Sequence, residues 1–154
     1  GGKNDELVTY ALGSCVGICM YDEGLHIGGL LHAMLPDAYA GAMEHMDGRR
    51  DTCPERYVNT GIERLYKTLC VRGADSGNLK VKIIGGAHMF SFDFSDKNMD
   101  IGTQNVIQSK RILSEMGIPV VAQMTGGTVG RTIKFYPGDA RVEISATDGT
   151  KHII

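Results

Sequence analysis

The chain has 154 residues, of which 42% are hydrophobic and 22% charged, and its formal net charge is −2 at pH 7. These values predict one globular domain over residues 1–154 with a sizeable core. The near-neutral charge argues against a nucleic-acid-binding protein, and no apolar stretch approaches the roughly 20 residues that span a bilayer. No charged-then-apolar leader opens the sequence, so we expect a cytoplasmic protein. Its four cysteines are then expected to be reduced thiols.

The first part of the chain predicts a β-hairpin. Residues 7–21 and 26–35 alternate apolar with small or polar residues, which is typical of strands. A turn-like run, residues 22–25, separates them. If the middle two residues of that run form the tip of the turn, pairing down the ladder places Cys15 opposite His32.

The rest of the chain predicts two helices and four more strands. Residues 37–53 show no clear period and are predicted to form a long loop. Apolar residues recur at three- and four-residue steps from Pro54 to Arg72 and from Gly102 to Met116, which predicts helices. The further strands are predicted at Leu79–Ile84, Pro119–Met124, Arg131–Tyr136 and Ala140–Ser145. This order predicts an α+β (mixed α/β) fold, a layered sandwich of β-sheet with two main helices.

Cys15 and His32 are the candidate reactive pair. Residues directly opposite each other on antiparallel strands have Cα atoms about 4.5–5.5 Å apart, close enough for an imidazole to reach a thiol. Such a cysteine is a nucleophile, because the histidine makes the reactive thiolate available at neutral pH. Gly13 and Ser14 directly precede Cys15 and leave backbone amides near its sulfur. The alternative is a small core cysteine and a hydrogen-bonded core histidine.

A third residue is needed to hold the imidazole in the right tautomer. Thr9 lies six residues before Cys15 and shares its strand face if the strand is unbroken. Its hydroxyl or its backbone carbonyl could then accept a hydrogen bond from the ring of His32. The same spacing also fits a β-branched residue with no role beyond the strand.

A zinc site is the competing interpretation of the same region. Cys15, Cys19, His26 and His32 carry donor atoms that zinc accepts. However, residues four apart on a strand lie about 13 Å apart, so one ion cannot contact both thiols. The strand interpretation therefore argues against a metal site.

Two glycine-rich segments, at 85–86 and 126–130, could suggest a phosphate-binding loop. Neither matches the spacing of a P-loop or of a dinucleotide-binding motif, and glycine pairs of this kind are typical of tight turns. Gly126, Gly127 and Arg131 are weaker candidates for contact with a substrate or partner. The alternative for Arg131 is a solvated strand end.

Four motifs in chain order resemble those of the CheD family, the chemoreceptor glutamine deamidases of bacterial and archaeal chemotaxis. The motifs are Thr9-Tyr10-Ala11-Leu12-Gly13-Ser14-Cys15-Val16, Gly28-Gly29-Leu30-Leu31-His32-Ala33-Met34-Leu35-Pro36, Ile84-Gly85-Gly86-Ala87-His88-Met89-Phe90 and Gly126-Gly127-Thr128-Val129-Gly130-Arg131. The resemblance extends over essentially the whole chain. It departs at His88, where an asparagine is expected in the family pattern.

This resemblance implies that Cys15 is the nucleophile, His32 the general base and acid, and Thr9 the residue that orients His32. It implies hydrolysis of particular glutamine side chains on methyl-accepting chemoreceptors to glutamate, with release of ammonia. It also implies a sandwich fold akin to that of deamidating bacterial toxins, and regulation by the CheC phosphatase.

The predicted residues suit this chemistry. Attack of the Cys15 thiolate on a carboxamide gives an oxyanion, which backbone amides near Ser14 and Cys15 can stabilise. His32 can then protonate the departing ammonia and activate water against the thioester. No metal or organic cofactor is expected. The alternative function is a non-enzymatic adaptor that binds chemoreceptors or the CheC phosphatase.

Overall fold

The structure, a computed structural model, describes residues 1–38, 53–88 and 100–154. Within them the chain forms two four-stranded sheets and two α-helices, which confirms the predicted α+β fold. Most of the loop predicted at 37–53 lies outside the described residues. None of the described helices is long and apolar enough to cross a membrane.

The strands divide between an outer sheet and a central sheet. The elements are β1 (Leu7–Leu12), β2 (Val16–Asp22), β3 (Ile27–Ala33), α1 (Val58–Val71), β4 (Leu79–Gly85), α2 (Ile101–Glu115), β5 (Val120–Thr125), β6 (Arg131–Tyr136), β7 (Arg141–Ala146) and β8 (Lys151–Ile153). The outer sheet has the strand order β1-β6-β7-β8 and the central sheet the order β3-β2-β4-β5. Their neighbours pair antiparallel, except that β4 and β5 are parallel.

The central sheet lies between the outer sheet and the helices. Val16, Ile18 and Met20 of β2 pack into the cluster that includes the two helices, as expected for large alternating side chains. Cys19, from the opposite face of β2, packs into the cluster formed with the outer sheet. That face approaches the outer sheet closely: a Cβ added to Gly17 would lie only 2.8 Å from the Ile133 side chain. All of β2 is buried as a result.

The single strand predicted over residues 7–21 is wrong. It is two strands, β1 and β2, which belong to different sheets. Ala11 adopts a positive φ of 57°, and the chain bends through residues 13–15 before β2 begins. Thr9 and Cys15 therefore do not share one strand face. The alternating pattern did not reveal the break because apolar and small or polar residues alternate on both sides of it.

The predicted hairpin register is wrong by two residues on one strand. The ladder closes at Asp22 opposite Ile27, and His32 pairs with Gly17 instead of Cys15. The cause is a four-residue loop, in which the Asp22 carboxylate accepts hydrogen bonds from the backbone N–H groups of residues 24 and 25. A shift of two leaves every side chain on its predicted face, since side chains alternate with a period of two.

The other elements differ from prediction mainly at their ends. Residues 54–56 form a short 3-10 turn, and α1 begins only at Val58, after Tyr57 has bridged to Leu35. The left-handed glycines Gly73 and Gly117 follow the two helices, as their sequence positions indicate. The short strand β8 was not predicted.

Candidate active site

Thr9 and His32 meet where the edges of the two sheets come together. β1 is an edge strand of the outer sheet and β3 is an edge strand of the central sheet. The Thr9 hydroxyl lies 2.7 Å from Nδ1 of His32, within hydrogen-bond distance. This is the contact that a residue orienting the imidazole would make, and it uses the hydroxyl and not the backbone carbonyl.

Cys15 lies in the bend between β1 and β2. It directly precedes Val16, whose ladder partner Ala33 directly follows His32. The thiol is therefore at the same end of the β2–β3 ladder as the imidazole. Its side chain is partly buried and partly exposed, as a nucleophile that meets a substrate has to be.

The segment after β4 holds the bend of Cys15 in place. The backbone N–H of Gly86 donates to the Cys15 carbonyl at 2.8 Å, and that of Ala87 donates to the Gly13 carbonyl at the same distance. A Cβ on Gly85 would lie 2.3 Å from the Cys15 carbonyl oxygen. Only a residue without a side chain fits this contact, which explains one glycine of the Gly85-Gly86 motif.

Burial makes both members of the pair neutral. It raises the pKa of the Cys15 thiol, an effect that the residue's own backbone N–H partly offsets. Burial also lowers the pKa of the His32 imidazole. Since the ordinary values are about 8.5 and 6.5, the resting pair at pH 7 is a thiol and a neutral imidazole. His32 therefore has a lone pair with which to accept a proton.

A groove of about 530 Å³ lies beside the Thr9–His32 contact. Both residues line it, together with the glycines at the start of β3, side chains of α1 that include Leu65, and Arg72, which directly follows α1. The imidazole side of the candidate site therefore borders an open groove. Cys15 is not among the groove's lining residues.

Arg131 supports a loop instead of forming a solvated strand end. It is 8% exposed, and its guanidinium donates to the Gly126 carbonyl at 2.9 Å. Gly126 in turn donates to the Gly85 carbonyl, and the Gly127 carbonyl accepts from the backbone N–H of His88. The loop thus packs beside the segment that holds Cys15, and Gly127 is exposed. Contact of this loop with a substrate or partner stays a prediction.

Asn105 of α2 joins this site although the sequence analysis did not single it out. It is fully buried, and its side-chain nitrogen donates to the carbonyls of Ser14 at 2.9 Å and Met34 at 3.0 Å. The available signal was its position: it shares the buried face of α2 with Gly102, Ser109 and Leu113. An amide at such a position must find partners inside the protein.

The four residues of the zinc interpretation do not converge. Among the residues that the structure describes, no group of three His, Cys, Asp or Glu side chains could hold a metal ion. Cys19 is fully buried between the sheets. His26 lies in the hairpin loop, and its Nδ1 is 2.7 Å from the Gly138 carbonyl oxygen. The zinc interpretation of these four residues is therefore wrong.

Comparison with known proteins decides the family. The family model described as CheD chemotactic sensory transduction matches residues 34–146. The chain belongs to the CheD family. A protein from Thermococcus kodakarensis is 41% identical over 151 residues, covering 98% of this chain and 89% of the relative.

Two further CheD relatives have a similar sequence identity to this chain. One from Caldanaerobacter subterraneus subsp. tengcongensis is 40% identical over 148 residues, covering 96% of this chain and 87% of the relative. One from Pyrococcus abyssi is 45% identical over 133 residues, covering 86% of this chain and 77% of the relative. All three relatives are named probable chemoreceptor glutamine deamidase CheD. The match to the CheD family model begins after Thr9, Cys15 and His32, so their roles are argued from geometry.

Proposed function

We propose that this protein is a cysteine hydrolase that deamidates glutamine side chains of methyl-accepting chemoreceptors to glutamate, releasing ammonia. Cys15 is the nucleophile, His32 the general base and acid, and Thr9 the residue that orients His32. The hydrogen bond between Thr9 and His32, at the end of the ladder where Cys15 lies, is the observation that carries this proposal. The names of the CheD relatives support the substrate.

The first step follows from the neutral state of the pair. The protonated Nδ1 of His32 donates a hydrogen bond to the Thr9 hydroxyl. Nε2 therefore carries the lone pair and accepts the proton of the Cys15 thiol. The sulfur then attacks the glutamine carboxamide carbon, and the C=O electron pair moves to oxygen. Proton transfer during attack suits a buried thiol, because a free thiolate is disfavoured there.

The second step breaks the C–N bond. The backbone N–H of Cys15, near its own sulfur, and that of Ser14 are the proposed donors to the oxyanion. The imidazolium of His32 gives its proton to the nitrogen, and ammonia departs as the C=O bond re-forms. The product is a thioester between Cys15 and the former glutamine.

Hydrolysis of the thioester completes the cycle. Neutral His32 removes a proton from water as the oxygen attacks the thioester carbon. The C–S bond then breaks, and the sulfur recovers its proton from the imidazolium. The receptor side chain is left as glutamate and no metal or organic cofactor takes part in any step.

Mass spectrometry of a purified chemoreceptor incubated with the protein tests this proposal. We expect the mass increase of amide-to-acid conversion at receptor glutamines with the wild type, and none with Cys15→Ala or His32→Ala. Cys53→Ala is the matched control, because it removes an exposed thiol outside the proposed site and should retain activity. A receptor left unmodified by folded wild-type protein would contradict the proposal.

The adaptor function makes the opposite prediction. It requires the receptor to bind the protein tightly with no change in the mass of its glutamine side chains, and it requires this binding to be insensitive to Cys15→Ala.

We also propose a cytoplasmic location, because that is where the protein would meet its receptor substrate. Regulation by the CheC phosphatase is proposed on the family resemblance, and a titration of the deamidation rate with CheC tests it.

A further inference from the structure

We propose that Asn105 is a positioning residue of this site, whose carboxamide holds the Ser14–Cys15 peptide and the chain just beyond His32 in one arrangement. The proposal rests on the proposed function for its catalytic consequence. Its structural part, that Asn105 sets the environment of the Cys15 thiol, can be tested without any substrate.

One nitrogen joins the two segments that carry the reactive groups. Nδ2 of Asn105 has two hydrogens, and the two carbonyls that accept them belong to Ser14 and Met34. Ser14 directly precedes Cys15, and Met34 is two residues beyond His32. Because one nitrogen of α2 supplies both hydrogen bonds, moving the bend of Cys15 relative to the end of β3 would weaken at least one of them.

The bond to Ser14 also fixes the direction of the Cys15 N–H. A trans peptide is planar, so its C=O and N–H groups point in opposite directions. With the Ser14 carbonyl directed at buried Asn105, the N–H of Cys15 points away from α2. This N–H interacts with the Cys15 sulfur and lowers the pKa of that thiol. It is also a proposed oxyanion donor, and such a donor has to be held before the reaction begins.

Packing alone does not account for an asparagine at this position. Its Oδ1 is buried and has no hydrogen-bond donor among the described residues, and an unpaired buried acceptor is destabilising. A hydrophobic side chain of similar volume would avoid that penalty but would leave the Ser14 and Met34 carbonyls without this donor, so the role of Asn105 lies in the two hydrogen bonds that it donates. Asn105 does not cap the helix either, because Asp100 accepts a hydrogen bond from the Thr103 N–H at the first turn of α2.

Asn105→Leu is the main test, because leucine keeps the volume and removes both donors. We expect kcat for receptor deamidation to fall about 100-fold with KM nearly unchanged, as for a catalytic group displaced by about 1 Å. We also expect the pH profile of Cys15 alkylation by iodoacetamide to move to higher pH. Peptide mass spectrometry measures this profile, with exposed Cys53 as a reference in the same molecule.

Ser109→Ala is the matched control. Ser109 is fully buried one turn further along α2, and its hydroxyl donates to the Asn105 backbone carbonyl at 2.6 Å. Its loss removes a buried hydrogen bond without touching the carbonyls of Ser14 or Met34. A merely structural role for this face of α2 predicts similar effects from both variants, and that result would overturn the proposal.

The two proposals fail in different ways. If the wild type does not deamidate receptors but Asn105→Leu still shifts the Cys15 profile, the proposed function fails and the positioning role stands. A folded Asn105→Leu with the wild-type kcat and Cys15 profile would overturn the positioning role. If the variant does not fold, NMR of the wild type decides: alkylation of Cys15 should shift the protected side-chain amide signals of Asn105, and unchanged signals would overturn the inference.

Discussion

A threonine and a histidine 23 positions apart in sequence form the contact on which the proposed chemistry depends. Thr9 and His32 are both partly buried, so the hydroxyl replaces a hydrogen bond that the ring would otherwise make to water. Its effect is on proton location: a partner at Nδ1 decides which nitrogen of a neutral imidazole keeps the lone pair.

Replacement of Thr9 tests this effect. Thr9→Val keeps the β-branched shape and removes the hydroxyl, so we expect kcat for deamidation to fall at least about tenfold as the productive tautomer is depopulated. Thr9→Ser restores the hydroxyl and should recover most of the rate. Equal activity of the valine and serine variants would show that the hydroxyl does not orient His32.

The pH dependence of kcat/KM follows from the shifted pKa of His32. Because burial lowers this pKa, the imidazole loses its proton at a pH below about 6.5, and activity should rise with pH through that lower value. The burial-raised pKa of Cys15 keeps the thiol protonated above pH 7, so no further rise is needed near neutrality. A single rise centred near or above pH 8.5 would instead indicate attack by a free thiolate without His32.

At the scale of elements, the site depends on the contact between the bend of Cys15 and the segment that leaves β4. Gly85 and Gly86 both have positive φ, and Gly86 donates to the Cys15 carbonyl. A Cβ at Gly102 of α2 would lie 2.7 Å from the Gly86 carbonyl oxygen, so the helix packs directly on the same segment. The segment after β4 therefore holds the bend that carries the nucleophile, and the start of α2 packs on that segment.

Gly85→Ala and Gly73→Ala separate backbone strain from this contact. The two glycines have φ values of 106° and 102°, but a Cβ on Gly73 would meet nothing within 4 Å. We expect Gly73→Ala to lower the free energy of unfolding by about 1–3 kcal/mol and to leave activity per folded molecule unchanged. Gly85→Ala should destabilise more and should also abolish deamidation, because its Cβ displaces the Cys15 carbonyl.

Urea unfolding and receptor mass spectrometry measure both effects. An active Gly85→Ala protein, once corrected for its folded fraction, would contradict a role for this contact in holding the nucleophile.

At the scale of the whole molecule, the site spans two sheets, and the core between them sets its geometry. Ile133 of β6 is the ladder partner of Thr9. Its Cδ1 also packs beside Gly17, the ladder partner of His32. One fully buried side chain therefore links the strand that pairs with Thr9 to the strand that pairs with His32.

Ile133→Val removes the Cδ1 atom that approaches Gly17. Ile83→Val is the matched control, since Ile83 is also fully buried but packs in the cluster beside the helices. Each variant should cost about 0.5–1.5 kcal/mol of unfolding free energy. Only Ile133→Val should also lower kcat, by several-fold, because the two sheets can then shift relative to each other. Equal kcat values in the two variants would contradict this role of the inter-sheet core.

Much of the fold and of the candidate site was predictable from the sequence. The period of two identified the core-facing residues of β2, and the period of 3.6 identified the two helices. The glycines at 73 and 117 marked the helix ends, because these signals are local. Cys15 and His32 were singled out because the hairpin brings their segments together. The error in the register was an even number of residues, so the side chains of the β2–β3 ladder, His32 included, kept their predicted faces.

The tertiary structure decided the remaining features. It showed that residues 7–21 form two strands, β1 and β2, in different sheets. The sequence did not predict this break, because a positive φ at Ala11 has no clear sequence signal at an alanine. It set the register through the carboxylate of Asp22, and it brought Asn105 from α2 to the carbonyls beside Cys15 and His32. Local patterns determine which face a residue occupies, whereas contacts between distant segments depend on how whole layers pack.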